Sequence, residues 1–215
     1  MTGGYVLYGG EGTGAVAVEL ALTLMGLRYE LKDVPDAAAL EAAAEVNPMR
    51  QVPTLVFPDR TLMTESAAIL IRLTELHPEA GLAPTVGDPH RPAFLRWMSF
   101  VSSAIYAHYW VKDDPLRIVS DPAQAPVIED RLNDRIVACW AMMEAATDAG
   151  PHILGDQLTV LDLYVAVVSR FRPRRQRFYA AAPRMAEAVR RVDADPRLAK
   201  VWAERYPKFE GWDRM

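Results

Sequence analysis

Cysteine is nearly missing from this 215-residue sequence, since Cys139 is the single one. A lone thiol cannot form a disulfide within the chain, and no C-x-x-C pair is present for thiol–disulfide exchange. The sequence also lacks any run of about 20 apolar residues, so we expect no membrane-spanning segment. Its four histidines are scattered without paired spacing, and we therefore expect no metal site.

Positive charge is not in excess either. The 24 Lys and Arg residues against 28 Asp and Glu residues give a net charge of -4, which argues against a general nucleic-acid-binding protein. Residues 1–8 lack a basic region followed by an apolar run, so we expect no signal peptide and a cytoplasmic protein. The apolar fraction of 51% is ample for the cores of two small domains.

The first eighty residues alternate short β-type runs with helical patterns. Strands are predicted at 5–8, 29–32, 54–57 and 61–63, the last two as an antiparallel hairpin. Helices are predicted at 15–25, 36–45 and 64–76, with Thr64 as the N-cap of the third. The order βαβ-α-ββ-α predicts an α/β domain over residues 1–80.

The remainder of the chain shows only helical patterns. A segment rich in glycine and proline at 81–89 is predicted to be a linker. Helices are predicted at 92–111, 124–148, 159–170, 184–193 and 196–205. Residues 90–215 are therefore predicted to form an all-α domain of different architecture from the first.

A glycine-rich turn follows the first predicted strand. Residues 10–15 match G-x-G-x-x-A, and Asp33 lies about 20 residues further on, as in dinucleotide-binding folds. The further parallel strands of such a fold do not follow, however. The turn is equally compatible with a flexible entry into a helix, or with a helix N-terminus that stabilises a thiolate.

Two short motifs suggest a peptide-like ligand. Val52-Pro53 directly precedes a strand, where a cis bond would expose the backbone of Val52 to an extended ligand; an ordinary trans proline is the alternative. Glu65-Ser66 opens the third helix and offers a carboxylate to an ammonium group and helix N–H groups to a carboxylate. An acidic first turn with a good cap is the alternative interpretation.

Together these motifs resemble the glutathione transferase family. The pattern N-P-x-x-Q-V-P-x-L over 47–55, then Glu65-Ser66, and a capping box from Thr159 to Asp162 occur in the order that this family uses. Met49-Arg50 departs from the usual glycine or lysine-glycine. The resemblance implies a thioredoxin-like domain, an all-helical domain, glutathione as co-substrate, a role in detoxification and a homodimer.

The resemblance also implies a set of glutathione-binding residues: Arg50, Gln51, Val52, Pro53, Glu65 and Ser66. Pro53 would be cis, and Val52 would pair its backbone with the cysteinyl part. Glu65 and Ser66 would hold the γ-glutamyl end with Gln51 beside it, while Arg50 would approach the glycyl carboxylate.

The group that activates the thiol is less evident. Such enzymes lower the pKa of the glutathione thiol with a donor from the first turn, where Thr13 is the only hydroxyl. The position of the cysteine in cysteine-using relatives aligns with Gly14, followed by Ala15. Our hypothesis is therefore that the Thr13 hydroxyl acts with the N–H groups of Gly14 and Ala15; capping of the helix is the alternative role of Thr13.

The helix predicted at 92–111 is expected to carry a pocket for a small, hydrophobic electrophile. Five residues form this expected pocket: Ser99, Ser103, Tyr106, Tyr109 and Trp110. Their spacing puts most of them on one helical face, although ordinary aromatic packing is an alternative. Tyr106 is also a candidate donor to the sulfur or the substrate.

A dense basic stretch over 170–177 can be a solvated loop, a nucleic-acid patch or a rim that attracts anionic substrates. Three functions remain open: a glutathione transferase, a non-catalytic glutathione-binding or regulatory protein of the same fold, and an NAD(P)-binding oxidoreductase.

Overall fold

A computed structural model describes residues 4–34 and 37–206. Its four strands are β1 (Tyr5–Gly9), β2 (Tyr29–Asp33), β3 (Thr54–Val56) and β4 (Leu62–Met63). They form one sheet of order β2-β1-β3-β4, in which β1 and β2 are parallel and the other two pairs are antiparallel. The predicted strands and hairpin are confirmed. A single parallel pair is too little for a dinucleotide-binding sheet.

The helices in the first part pack against this sheet. They are α1 (Ala15–Leu24), α2 (Ala37–Ala42) and α3 (Ser66–Leu76), and α2 continues into a 3-10 turn, Ala43–Glu45. The predicted start of α2 at Asp36 lies outside the described residues. Helix α1 is buried on nearly all sides because it also contacts α7 and α10 of the second part, which explains its almost wholly apolar sequence.

The prediction that Thr64 caps the third helix was wrong. The N-cap of α3 is Glu65, whose φ of 65° lies in the left-handed region, and it makes no side-chain capping bond. A non-glycine residue rarely adopts this conformation, and such exceptions concentrate at functional sites.

Only helices follow residue 80 in the part of the chain that the structure describes. They are α4 (Arg91–Phe100), α5 (His108–Lys112), α6 (Ala125–Ala146), α7 (Val160–Val168), α8 (Arg174–Ala181), α9 (Pro183–Ala194) and α10 (Ala199–Arg205). A π-helix, Val101–Tyr106, joins α4 to α5. Helix α8 was not predicted, because the five arginines over 170–177 made the segment look like a solvated loop.

The predicted capping box at the start of α7 is confirmed. The fully buried Asp162 accepts hydrogen bonds from the Thr159 N–H and hydroxyl (both 2.8 Å) and from the Ile153 N–H (2.7 Å). Burial raises the pKa of its carboxyl, and these donors oppose that effect. Asp162 thus fixes both the start of α7 and the loop before it.

Candidate functional site

A cavity of about 1510 Å³ lies where the two parts of the chain meet. Its walls come from the turn after β1, the loop before β3, the start of α3, the π-helix, α5, the segment around the start of α8, and the end of α10. Twelve of the fourteen site residues proposed from the sequence line it. The two that do not are Ala15 and Ser99.

The loop before β3 offers free backbone groups to the cavity. The Val52–Pro53 peptide bond is cis. Asn47 is buried and holds the loop, donating to the Gln51 carbonyl (2.8 Å) and accepting from the Met49 N–H (3.0 Å). Among the described residues no hydrogen bond engages the N–H or C=O of Val52. An extended ligand can therefore pair with Val52 as a neighbouring strand would.

The start of α3 faces the same space. Glu65 is exposed and its carboxylate has no ion pair with a described residue, while the first N–H groups of the helix lack intrahelical acceptors. Ser66 is buried, and its hydroxyl donates to the Tyr164 hydroxyl (3.0 Å) rather than pointing freely at a ligand. Of Ser66, the backbone N–H is the group best suited to bind an anion.

Gln51 and Arg50 complete this half of the cavity. Both are exposed, and Arg50 has a φ of 52°. Its guanidinium pairs with Glu41 of α2 at 2.9 Å. Exposed pairs of this kind are weak, so a ligand carboxylate can compete for the arginine.

The Thr13 hydroxyl is not directed at a bound thiol, contrary to the expectation from the sequence. Its hydroxyl donates to the Gly10 carbonyl (2.9 Å) and accepts from the N–H groups of Gly10 and Ala15 (both 3.3 Å). The proton that would serve a thiolate is thus already directed at a backbone oxygen. This geometry favours the alternative role, in which Thr13 holds the turn that starts α1.

A tyrosine from the second part fills the place of a first-turn side chain. A β-carbon built on Gly14 would lie 2.0 Å from the hydroxyl oxygen of Tyr106 and 2.7 Å from its Cζ atom. The φ of Gly14 is -65°, so the backbone itself does not require glycine. Glycine is required here because the tyrosine hydroxyl occupies the space that a serine or cysteine would fill.

The Tyr106 hydroxyl remains protonated at neutral pH. Burial raises its pKa, and the nearby Tyr164 and Tyr206 add to the effect, while the backbone N–H of Gly14 opposes it. Its own proton has no acceptor on a described residue. Tyr106 therefore presents a neutral hydrogen-bond donor to the cavity at the N-terminus of α1.

The wall for a second substrate differs from the expected helical face. The π-helix Val101–Tyr106 adds a residue to the turn, as the bond from the Ala107 N–H to the Ser102 carbonyl (2.9 Å) shows. The face that reaches the cavity therefore includes Ser102 and omits Ser99. The prediction for Ser99 was wrong because it assumed an unbroken α-helix.

Aromatic rings line this half of the cavity. The ring centroid of Tyr106 lies 5.5 Å from that of Phe171, and the centroid of Tyr109 lies 5.3 Å from it. Trp110 is half-exposed at the rim with the Arg117 guanidinium over its ring. Ser103 lines the cavity, although its hydroxyl donates to a backbone carbonyl (2.8 Å). These aromatic rings give this half of the cavity an apolar wall.

Comparison with known proteins finds similarity to glutathione S-transferases. A family model described as the N-terminal domain of glutathione S-transferase matches residues 15–76. The uncharacterized GST-like protein YncG of Escherichia coli (strain K12) is 29% identical over 203 residues, which cover 91% of this chain and 95% of the relative. A glutathione transferase homologue from Sulfitobacter, crystallised with bound glutathione, aligns with a TM-score of 0.81 and 27% identity over 94% of this chain and 97% of that one. Over nearly its whole length the chain is therefore similar to glutathione S-transferases.

A further relative matches a shorter stretch. A probable maleylacetoacetate isomerase of Caenorhabditis elegans is 40% identical over 87 residues, or 39% of each chain. This similarity agrees with the observed thioredoxin-like sheet and helical second part.

Several residues that line the cavity or hold its walls were not identified from the sequence. Tyr164 is buried on α7 and links Ser66 to Ser102. Burial raises the pKa of the Tyr164 hydroxyl to about 12, and the hydroxyls of the two serines oppose part of that rise. The Arg205 carbonyl accepts from the Gly12 N–H (3.0 Å), so α10 braces the first turn. These contacts join residues distant in sequence, and no local motif announces them. Lys112 was missed for the same reason.

The arginines of the basic stretch over 170–177 divide between packing and the cavity. Arg175 is buried and pairs with Asp193 (2.7 Å), and Arg177 pairs with Asp134 at the surface (2.8 Å). Arg172 and Arg174 line the cavity. The interpretation as a rim around the site therefore fits better than a solvated loop.

Two kinds of site are absent from residues 4–34 and 37–206, the part of the chain that the structure describes. No group of three or more histidine, cysteine, aspartate or glutamate side chains is placed to hold a metal ion there. Over the same residues, no helix combines the length and apolar character needed to cross a bilayer.

Proposed function

We propose that this protein binds reduced glutathione and activates its thiol for attack on a small electrophile. The observation that carries the proposal is the Tyr106 hydroxyl, which stands at the N-terminus of α1 where a first-turn side chain of Gly14 would otherwise be. The free Val52 backbone and the unpaired Glu65 carboxylate lie in the same cavity and support it.

The glutathione site follows from these groups. The Val52 N–H and C=O pair with the cysteinyl part of the tripeptide in the manner of an added strand. Glu65 binds the ammonium group of the γ-glutamyl end, while the N-terminus of α3 at Ser66 binds its carboxylate. Arg50 leaves its exposed contact with Glu41 to approach the glycyl carboxylate, and Gln51 lies between these groups.

Thiol activation requires a donor that prefers the thiolate. A hydrogen bond to a charged acceptor contributes about 1.5–3 kcal/mol, which corresponds to lowering the thiol pKa by about 1–2 units. Tyr106 can supply this bond because its proton is free and its hydroxyl is not ionised. The dipole of α1 adds to the effect at the same position. Thr13 supports the turn rather than the sulfur.

The test compares the bound thiol in the parent protein and in Tyr106→Phe. Calorimetry measures glutathione affinity, and the ultraviolet absorbance of the thiolate, followed against pH, gives the pKa of the bound thiol. We expect Tyr106→Phe to retain binding and to raise that pKa by about 1–2 units. Tyr8→Phe is the matched control, since Tyr8 is a half-buried tyrosine that does not line the cavity.

A second candidate function is glutathione binding without catalysis. It is favoured by the first turn, in which the only hydroxyl, that of Thr13, is committed to the Gly10 carbonyl. The same titration separates the two candidates, because a bound thiol whose pKa equals that of free glutathione contradicts activation. Absence of binding at millimolar glutathione would contradict both.

Similarity to glutathione transferases supports further proposals about the whole protein. We propose a glutathione-binding domain over residues 1–80 and a helical domain over 90–215 joined by a linker at 81–89. We further propose a cytoplasmic homodimer that acts in detoxification, which sedimentation would report as twice the chain mass of 23.9 kDa.

A further inference from the structure

The electrophile half of the cavity contains three cationic side chains from separate elements. Lys112 ends α5, Arg172 precedes the cis bond to Pro173, and Arg174 begins α8 with a φ of 73°. All three line the cavity. The Lys112 Nζ atom lies 5.5 Å from the ring centroid of Tyr109, so this cationic group borders the aromatic wall.

These three side chains differ from the other cations of the cavity. Arg50, Arg117, Arg170 and Arg205 each pair with a carboxylate. Lys112, Arg172 and Arg174 make no ion pair or side-chain hydrogen bond with any described residue. They are the cavity's uncommitted positive charges within the described part of the chain.

Lys112 is the most unusual of the three because it is only 5% exposed. Burying an ammonium group without a counter-ion is costly, and few proteins retain one without a function. Burial lowers its pKa, and the positive charges of Arg172 and Arg174 lower it further. The carboxylates of Asp113 and Glu129 act in the opposite direction but neither forms an ion pair with it.

The charge of the residues that line the whole cavity also favours an anionic ligand. Among the described residues that line it, seven are basic and four are acidic, whereas the chain carries a net charge of -4. Glutathione accounts for part of this surplus through the two carboxylates that meet Arg50 and α3. Lys112 lies beside Tyr109 instead, with the second substrate, and Arg172 and Arg174 are close enough to Lys112 to lower its pKa.

We propose that the second substrate is a small organic acid, whose apolar body lies against Tyr109 and Phe171 and whose carboxylate binds Lys112, Arg172 and Arg174. This inference rests on the proposed function and narrows its substrate class from any hydrophobic electrophile to one that carries a carboxylate. A carboxylate placed there supplies the counter-ion that the protein itself does not provide to Lys112.

A chloronitroaromatic acid and its methyl ester test this inference, since the two differ only in charge at one end. The probes are 4-chloro-3,5-dinitrobenzoate and methyl 4-chloro-3,5-dinitrobenzoate. The glutathione thiolate forms a C–S bond with the carbon that bears chlorine, chloride leaves with the electron pair of the C–Cl bond, and the thiol proton passes to solvent. The reaction needs no other reactant.

The quantity to compare is the ratio of kcat/KM for the acid to kcat/KM for the ester, each divided by its uncatalysed rate constant. We expect the parent protein to favour the acid, and Lys112→Met to lower the ratio about 10- to 100-fold through loss of a charge-assisted bond. Lys200→Met is the matched control, because Lys200 is exposed on α10 away from the cavity, and it should leave the ratio unchanged.

Folding of Lys112→Met is checked by thermal denaturation, which should show a Tm at or above that of the parent because a buried charge has been removed. Arg174→Gln provides a second variant and should lower the ratio in the same direction. Calorimetry with the acid and ester glutathione conjugates measures the same preference without turnover.

The possible outcomes distinguish failure of this inference from failure of the proposed transferase function. The carboxylate inference is wrong if the ester is conjugated and the acid is not preferred, or if Lys112→Met leaves the ratio unchanged. In either case the proposed transferase function is not contradicted. If neither probe reacts but the acid conjugate binds more tightly than the ester conjugate in a Lys112-dependent way, the inference stands and catalysis fails.

Discussion

The close approach of Gly14 and Tyr106 gives the sharpest prediction. In Gly14→Ser the new β-carbon would lie 2.0 Å from the Tyr106 hydroxyl oxygen, 2.7 Å from Cζ and 2.9 Å from Cε1. The ring cannot move aside freely, because the rings of Tyr109, Tyr164 and Phe171 surround it with centroids 5.5–6.2 Å away. Overpacking of this kind costs about 1–3 kcal/mol.

We therefore expect Gly14→Ser to lower both the stability of the protein and its conjugation activity. Stability falls by about 1–3 kcal/mol, or about 2–4 °C in Tm for each kcal/mol in a chain of this size. Conjugation activity also falls, since Tyr106 is displaced from the sulfur, even though the substitution brings a second hydroxyl to the first turn.

Removal of the tyrosine should reverse this outcome. Tyr106→Ala alone loses the donor and is expected to raise the pKa of bound glutathione by about 1–2 units. Gly14→Ser added to Tyr106→Ala places a hydroxyl in the vacated space and should recover part of that shift. Gly14→Ala in the same background is the control, because it adds the β-carbon without the oxygen.

Thermal denaturation and the thiolate titration together decide the matter. The reasoning is refuted if Gly14→Ser leaves Tm and activity at parental values, because the hydroxyl would then not occupy that space. It is refuted equally if the two double variants show the same thiol pKa, because the oxygen would then be irrelevant.

Two further predictions concern the contacts that hold the site together. Asp162→Ala should lower the free energy of unfolding in urea by about 3 kcal/mol, because it strands the backbone N–H groups of Ile153 and Thr159 at about 1–3 kcal/mol each. Glu19→Ala should cost about 2 kcal/mol and raise the Kd for glutathione, since Glu19 anchors Arg205 (2.8 Å) at the end of α10, which braces the first turn.

Each of these two variants has a matched control. The control for Asp162→Ala lies in the loop before α7, and the control for Glu19→Ala removes another carboxylate that contacts Arg205. Asp156→Ala removes an exposed carboxylate in the loop before α7 and should leave the urea midpoint unchanged. Glu204→Ala removes the exposed carboxylate that also contacts Arg205 and should leave glutathione affinity unchanged. A loss equal to that of the control in either case would mean that the buried contact contributes nothing.

Local sequence determined the order of strands and helices and the two glutathione motifs. Alternation of apolar residues sets the strands, and the capping box at Thr159 sets the start of α7. The Val52-Pro53 motif marks the position of the cis bond that the structure contains. These features depend on neighbours within a few residues, which is why periodicity and short motifs identify them.

Only the tertiary structure decided which groups face the cavity and in what state. The π-helix rotated Ser99 away and Ser102 inward, Thr13 turned its proton to the Gly10 carbonyl, and Tyr106 entered the space beside Gly14. The Ser99 outcome depends on a local change of helix type, the Thr13 outcome on the local geometry of the first turn, and the Tyr106 outcome on the packing of elements about 90 residues apart in the chain. A pattern of residue types cannot show that the Tyr106 hydroxyl occupies, after folding, the space that a side chain at position 14 would need, and that observation carries the catalytic hypothesis.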